Sequence, residues 1–143
     1  NIGEWLMRAF CDVLVGSGNY VDFSRPPWLR NLLTKARLEF DREYVELKVG
    51  LECQGKQHYR SIGSAEDDRA LVDQQLRDSQ KIAHCTRHGV TLIEITAANL
   101  TRDVMVTKLK PVLPMTAYAT AQGSPLIDAL DVSGQEYMSS VIR

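Results

Sequence analysis

A chain of 143 residues, 44% hydrophobic and 24% charged, is long enough to bury a core of its own and too polar for a membrane protein. Its net charge of -1 argues against a protein that lives on nonspecific phosphate contacts over its whole surface. Any nucleic-acid binding then needs segregated charge or help from another domain. No run approaches a membrane span and the first residues do not form a signal peptide, so the expectation is a cytoplasmic, non-secreted protein. The chain begins with Asn1 rather than Met, which suggests a domain of something longer.

In chain order, residues 3–15 predict a helix. Leu6, Phe10 and Val13 repeat at helical spacing with Met7 and Leu14 beside them, and Gly16-Ser17-Gly18-Asn19 stops it. Glu4 shares one side of that helix with Met7, Cys11 and Leu14. It is either a dipole-stabilising first-turn acid or an acid facing inward. Tyr20–Phe23 is a candidate short strand. Between Arg25 and Arg37 lies the densest basic run, with Arg30, Lys35 and an interleaved Trp28. It suits either a solvated surface or a face toward nucleic acid.

The stretch Leu38–Tyr59, LEFDREYVELKVGLECQGKQHY, predicts a β-hairpin turning near Val45–Lys48. On the first arm Leu38 and Phe40 alternate with Glu39 and Asp41. On the second, Leu47, Val49, Leu51 and Cys53 form an apolar face, and Glu46, Lys48, Gly50, Glu52 and Gln54 a polar one. Ala65–His88 reads as a long helix ended by Gly89. Asp78, Ile82 and Cys85 lie along one side of it with Lys81, and Asp78 and Lys81 have the spacing of an i,i+3 surface pair. Val90–Ile95 is a plain apolar strand, placed by a helical crossover in a βαβ-like unit. Asn99–Lys110 predicts a further helix. Residues 115–124 read as a linker, and Leu126–Ile142 as one or two short helices. The core is therefore expected in residues 1–110, followed by a linker and helical extension over 111–143. Cys11, Cys53 and Cys85 are few, distant and set among apolar residues, so they read as buried core thiols of a reducing compartment.

Antiparallel pairing of the hairpin brings Asp41 and Glu52 together. Phosphodiester hydrolysis calls for a metal ion that polarises phosphate and activates water. Mg²⁺ takes one or two carboxylates plus other oxygens, so Asp41, Glu52 and the backbone carbonyl of Cys53 form a candidate ligand set. Gln54, two residues beyond Glu52 on the same face, is able to hold a water or a phosphate oxygen by hydrogen bonds. Two acids on polar strand faces are also what ordinary solvent-exposed carboxylates produce.

The ordered set of motifs resembles the PD-(D/E)XK nuclease superfamily, in the branch of very-short-patch-repair and some homing endonucleases. GEWLMRAF is similar to the opening helix with its acid. LEFDREYVELKVGLECQGKQHY is similar to a segment of the form LRFDFY…LxIExQGxQHY, and LRDSQKIAHCTRHGVTLIEI to a helix-to-strand segment with the spacing D-x-x-K-x-x-x-C. The likeness runs over residues 3–96. It implies an α/β, restriction-endonuclease-like fold, a mixed β-sheet core flanked by helices, with a C-terminal helical tail. It also implies a Mg²⁺-dependent endonuclease acting on DNA, with Mn²⁺ able to substitute. By the resemblance Asp41 is the motif Asp, Glu52 the second acid, and Gln54 stands where Lys is usual. Lys81 is the candidate replacement cation and Lys56 its rival. Glu4 is an outer acid or a ligand to a second metal, and His58 a phosphate contact or proton carrier. Lys56, Gln57, Arg30 and Lys35 are candidate substrate contacts. A homodimer, or a DNA-binding domain elsewhere in a longer chain, would supply further affinity.

The chain departs from the family pattern at Arg42 and Glu43, where an apolar-aromatic pair is common, and in lacking a Gly-Gly stretch after Tyr59. A second reading is a degenerate nuclease-fold module that binds DNA or assembles with proteins without cutting. A metabolic α/β enzyme has no support, because no Gly-rich phosphate loop or nucleophile motif occurs.

Overall fold

The computed structural model describes residues 1–55 and 64–142. Four strands form one mixed sheet in the order β1-β2-β3-β4: β1 Val21–Ser24, β2 Phe40–Tyr44, β3 Val49–Cys53 and β4 Thr91–Ile95. The first three run antiparallel, and β4 lies parallel to β3. The crossover between β3 and β4 is α2, Ala65–His88, as an adjacent parallel pair requires. Its start is capped by the Ser64 hydroxyl, which accepts from the Asp67 amide. Its end is Gly89 at φ 67°, where a side chain would be strained.

The hairpin turn falls where the alternation places it, with Lys48 N–H donating to the Val45 carbonyl. Leu47 does not join the apolar face. It lies in that turn and is exposed. The face expected to be polar is covered as well. Gly50 sits beneath the Phe40 ring, so close that a Cβ there would fall 2.7 Å from it. Phe40 joins Leu29, Leu38 and Cys85 in a small second core under α2. A central strand with helices on both sides is buried on both sides, so local alternation reads the wrong exposure for one of them.

The main core lies on the opposite face. α1 (Ile2–Leu14) buries Leu6, Met7, Phe10, Cys11 and Leu14 against Val49, Leu51, Cys53, Ile93 and Ile95. α3 (Arg102–Leu109) adds Met105 and Leu109, following a 3-10 turn at Ala97–Asn99. Residues 125–142 form one helix, α4 (Pro125–Ile142), not two short ones. Its Ile127 belongs to the main core. Gly134 crosses the Leu100 carbonyl so tightly that a Cβ would stand 1.8 Å from the oxygen. The preceding segment is also tied down: Val15 and Met115 form a β-bridge, and Thr116 N–H donates to the Leu14 carbonyl.

All three cysteines are buried and free. Burial pushes the thiols of Cys11 and Cys53 up to about 12 and that of Cys85 to about 11. Among the described residues, no helix is long and apolar enough to cross a membrane.

Candidate functional site

Glu4, Asp41, Glu52 and Lys81 meet where the C-terminal ends of β3 and β4 lie between α1 and α2. The β2–β3 register begins at Arg42↔Leu51. Continuing it by one pair sets Asp41 opposite Glu52. Here the ladder changes character, because the Cys53 amide donates to the Asp41 carboxylate at 2.6 Å. Alternation also breaks at this point. Arg42 reaches α1 through Asp12, whereas Phe40, two residues earlier, packs with Cys85 of α2.

Glu52 is met from above by α2. Lys81 Nζ lies 2.9 Å from Glu52 Oε1, and both side chains are nearly closed to solvent, at 11% and 12% exposed. The expected Asp78–Lys81 surface pair is therefore replaced by a buried Lys81–Glu52 pair, while Asp78 accepts from Gln74 at 2.9 Å. Only Lys81 and Cys85 of α2 are buried. Ile82, expected on the same stripe, is 51% exposed. The narrow strip of sheet beneath α2 accommodates one turn's worth of inward side chains.

Electrostatics follow from this burial. Glu52 is pushed up to about 7, because desolvation outweighs the charge and hydrogen bond of Lys81, with Asp41 and Asp78 adding to the rise. Asp41 is raised as well, chiefly by burial. The Cys53 N–H opposes that rise, Glu4 adds to it, and Lys81 and Arg8 oppose it. Asp41 thus lies in the fields of Glu4 and Lys81, and Glu52 in those of Asp41 and Lys81, so the four residues are drawn together from four elements, α1, β2, β3 and α2. Glu4 comes from the first turn of α1, whose N-terminus Asn1 caps by accepting from the Glu4 amide.

Gln54 continues β3 by donating its amide to the Ile95 carbonyl at 2.8 Å. Its side chain lines an open cleft of about 300 Å³ with Asp78, Ile82 and Glu94. Glu94, passed over in the sequence because it sits inside an apolar strand, is paired in register with Glu52. The signal for it was its position in VTLIEI, where it alternates with Ile93 and Ile95. Arg8 is the other residue the sequence reading missed. It follows Glu4 at i+4 and its charge acts on Asp41. That spacing puts it on the same side of α1 as the candidate acid.

The departures at Arg42 and Glu43 are accommodated by partners. Arg42 is buried between Asp12 and Asp22, at 2.7 and 2.6 Å, with Tyr20 stacked on its guanidinium. Glu43 accepts from Ser24 at 2.6 Å. The basic run is largely occupied with holding its own loop. Arg30 donates to the carbonyls of Pro27 and Lys35, Arg25 pairs with Glu39, and Trp28 stacks on His88. Lys35 is exposed, at φ 63°. Lys56, Gln57 and His58 lie outside the described residues.

Among the described residues, no group of three or more His, Cys, Asp or Glu side chains is assembled to hold a metal ion. The donor set to be weighed is therefore the smaller one of Asp41, Glu52 and a backbone carbonyl. It has the chemistry of a hard cation's ligands: carboxylate oxygens, partly withdrawn from water, whose ionisation is held back chiefly by burial despite the nearby Lys81.

No family model matches this chain, and no solved structure matches it. Two viral proteins are similar in sequence. "Uncharacterized protein 307L" of Invertebrate iridescent virus 6 is 34% identical over 126 residues, covering 76% of this chain and 63% of that protein. "Uncharacterized protein 033L" of Invertebrate iridescent virus 3 is 38% identical over 73 residues, covering 50% of this chain and 38% of that protein. The chain thus spans less than two thirds of the length of each of these relatives, and neither name states an activity.

Proposed function

We propose that this chain is the nuclease domain of a restriction-endonuclease-like protein, hydrolysing phosphodiester bonds of DNA with Mg²⁺ or Mn²⁺. The observation that carries the reading is the buried Lys81–Glu52 pair beside Asp41. A fold that needed only stability would gain little from it. Burying an ion pair rarely repays its desolvation, and an apolar pair of similar volume serves a core as well or better. Two half-buried acids and one buried lysine at the open end of a sheet are better explained as groups kept for chemistry.

Asp41 and Glu52 would hold the cation, with the Cys53 carbonyl as a third oxygen. When bound, the ion would supply polarisation of the phosphate and a more acidic water. Lys81 reaches the site from α2 and has no acceptor role, so its work is to stabilise negative charge developing at the phosphate. In the absence of the ion it holds Glu52. Gln54 offers hydrogen bonds at the cleft and no charge, which leaves Lys81 as the cation on this side of the site among the described residues. Glu4 stands behind Asp41 and helps keep it ready for a cation by disfavouring a bare second carboxylate.

The second reading, a module that binds without cutting, is favoured by Gln54 and by the net charge of -1. Incubation of plasmid DNA with Mg²⁺ or Mn²⁺ separates the two. Nicking or linearisation is expected with the wild-type chain and is lost in Asp41→Ala. Cleavage by neither metal, or equal cleavage by Asp41→Ala, sinks the nuclease reading.

A further inference from the structure

Arg8 is the described cation near the acids whose hydrogen bonding is incomplete. Its Nη1 is buried and has no hydrogen-bond partner among the described residues. Buried guanidinium N–H groups without acceptors are costly, and a specific orphan calls for an explanation. Its guanidinium lies over the ring of Phe23, 4.8 Å from the centroid. Phe23 is itself unusual on two counts. It adopts φ 54°, a left-handed conformation that a bulky residue avoids. It is also 51% exposed as a residue, so burial does not explain the strain. Non-glycine residues held in this region cluster at ligand-binding positions.

The sheet fixes where this pair stands. β1 and β2 pair through Asp22↔Arg42 and Ser24↔Phe40, which sets Phe23 opposite Asp41. Arg8 rises from α1 one turn after Glu4. The pair therefore adjoins the candidate acids on the side away from Lys81 and the Gln54 cleft. A planar cation lacking an acceptor among the described residues, lying over the ring of a half-exposed phenylalanine, offers two complementary contacts. The fork of Arg8 suits a phosphate oxygen. The ring of Phe23 suits the face of an unpaired base, since a base inside a duplex has its faces covered by its neighbours.

We propose that Arg8 and Phe23 form a nucleotide subsite for an unpaired nucleotide of single-stranded DNA, flanking the phosphate at Asp41 and Glu52. This deepens the nuclease reading and rests on it for the identity of the polymer. Its test needs neither metal nor cleavage, so the two can fail separately.

The experiment is fluorescence anisotropy of a fluorescein-labelled oligodeoxythymidylate, titrated in EDTA with the wild-type chain and with Arg8→Gln, Arg8→Lys and Phe23→Gly. Thermal midpoints are read in parallel. The wild type is expected to bind the single strand more tightly than the same-length duplex. Each variant is expected to lose about tenfold or more in affinity, the size of one stacking or bidentate contact. Phe23→Gly suits φ 54°, so its thermal midpoint is expected to be unchanged or higher while binding weakens. A structural role would move the midpoint downward instead. Equal affinity of all four proteins overturns the proposal, as does a duplex bound more tightly than the single strand. Absence of wild-type binding to the single strand, or equal binding of an abasic oligomer, overturns it too. Retained binding with no cleavage under Mg²⁺ would sink the nuclease reading and leave this subsite standing.

Discussion

Replacing Glu52 by glutamine removes a carboxylate that is only 12% exposed and 2.9 Å from Lys81. Its folded pKa of about 7 lies above the ordinary 4.5 because burial penalises the anion more than Lys81 stabilises it. Between those two values the folded protein holds a proton that the unfolded chain has released. Its contribution to stability is therefore fully present below pH 4.5 and declines as pH rises through 7. The gap corresponds to about 3 kcal/mol when complete, of which about 2 kcal/mol falls between pH 5 and pH 8. Glutamine does not titrate, so Glu52→Gln lacks this decline. Urea unfolding in EDTA at pH 5 and pH 8 measures it as a difference of differences. Relative to wild type, Glu52→Gln should gain about 2 kcal/mol on going from pH 5 to pH 8. A difference that stays constant with pH would mean that Glu52 ionises normally, and the burial argument fails. On the proposed metal role, adding Mg²⁺ should reverse the trend for the wild type alone. A cation that binds the carboxylate stabilises the folded state by mass action, and more at pH 8 than at pH 5, whereas Glu52→Gln should hardly respond.

Lys81→Met leaves Glu52 buried without its cation. It should lower stability at pH 8 by about 3 kcal/mol, with a smaller loss at pH 5 where Glu52 is protonated, and should abolish Mg²⁺-dependent cleavage. Retained cleavage in this variant would disqualify Lys81 as the catalytic cation. Gly134→Ala drives a methyl into the Leu100 carbonyl at 1.8 Å, a backbone neighbour with little room to yield. It should cost about 3 kcal/mol or more, at or above the usual range for overpacking, and a thermal midpoint within two degrees of wild type would refute the docking of α4. The buried thiols, all raised to about 11 or 12, should be silent to a thiol-disulfide reagent at pH 8 in the native protein and all react in urea. Prompt reaction of any native thiol would contradict the packing.

Much of the fold was legible along the chain because local physics dictated it. The span of α2 ends where Gly89 allows a left-handed residue, the hairpin turns at Lys48, and a parallel β3–β4 pair demands the crossover that the spacing supplies. The candidate acids were legible as a pair for the same reason, since a short hairpin leaves Asp41 and Glu52 opposite each other. What local pattern misread was exposure. Gly50 and Glu52 alternate with apolar residues and look solvent-facing, yet α2 and the loop containing Trp28 and Leu29 close over them. Nor does the sequence of α2 say which side of Lys81 matters. An i,i+3 acid is always available on paper, and only the sheet beneath offers Glu52 instead.

Composition and periodicity by themselves determined helices α1 and α2, the β2–β3 hairpin and a helical crossover to β4, because strand and helix periods are written in consecutive residues. Tertiary structure alone decided that Lys81 is buried on Glu52, that Arg42 and Glu43 are partnered, and that Arg8 meets Phe23 beside Asp41. Each of those contacts joins residues 15 to 30 or so positions apart, at distances set by the sheet register and the docking of helices. Their chemistry is also that of desolvation, which depends on what covers a group and not on what precedes it in the chain.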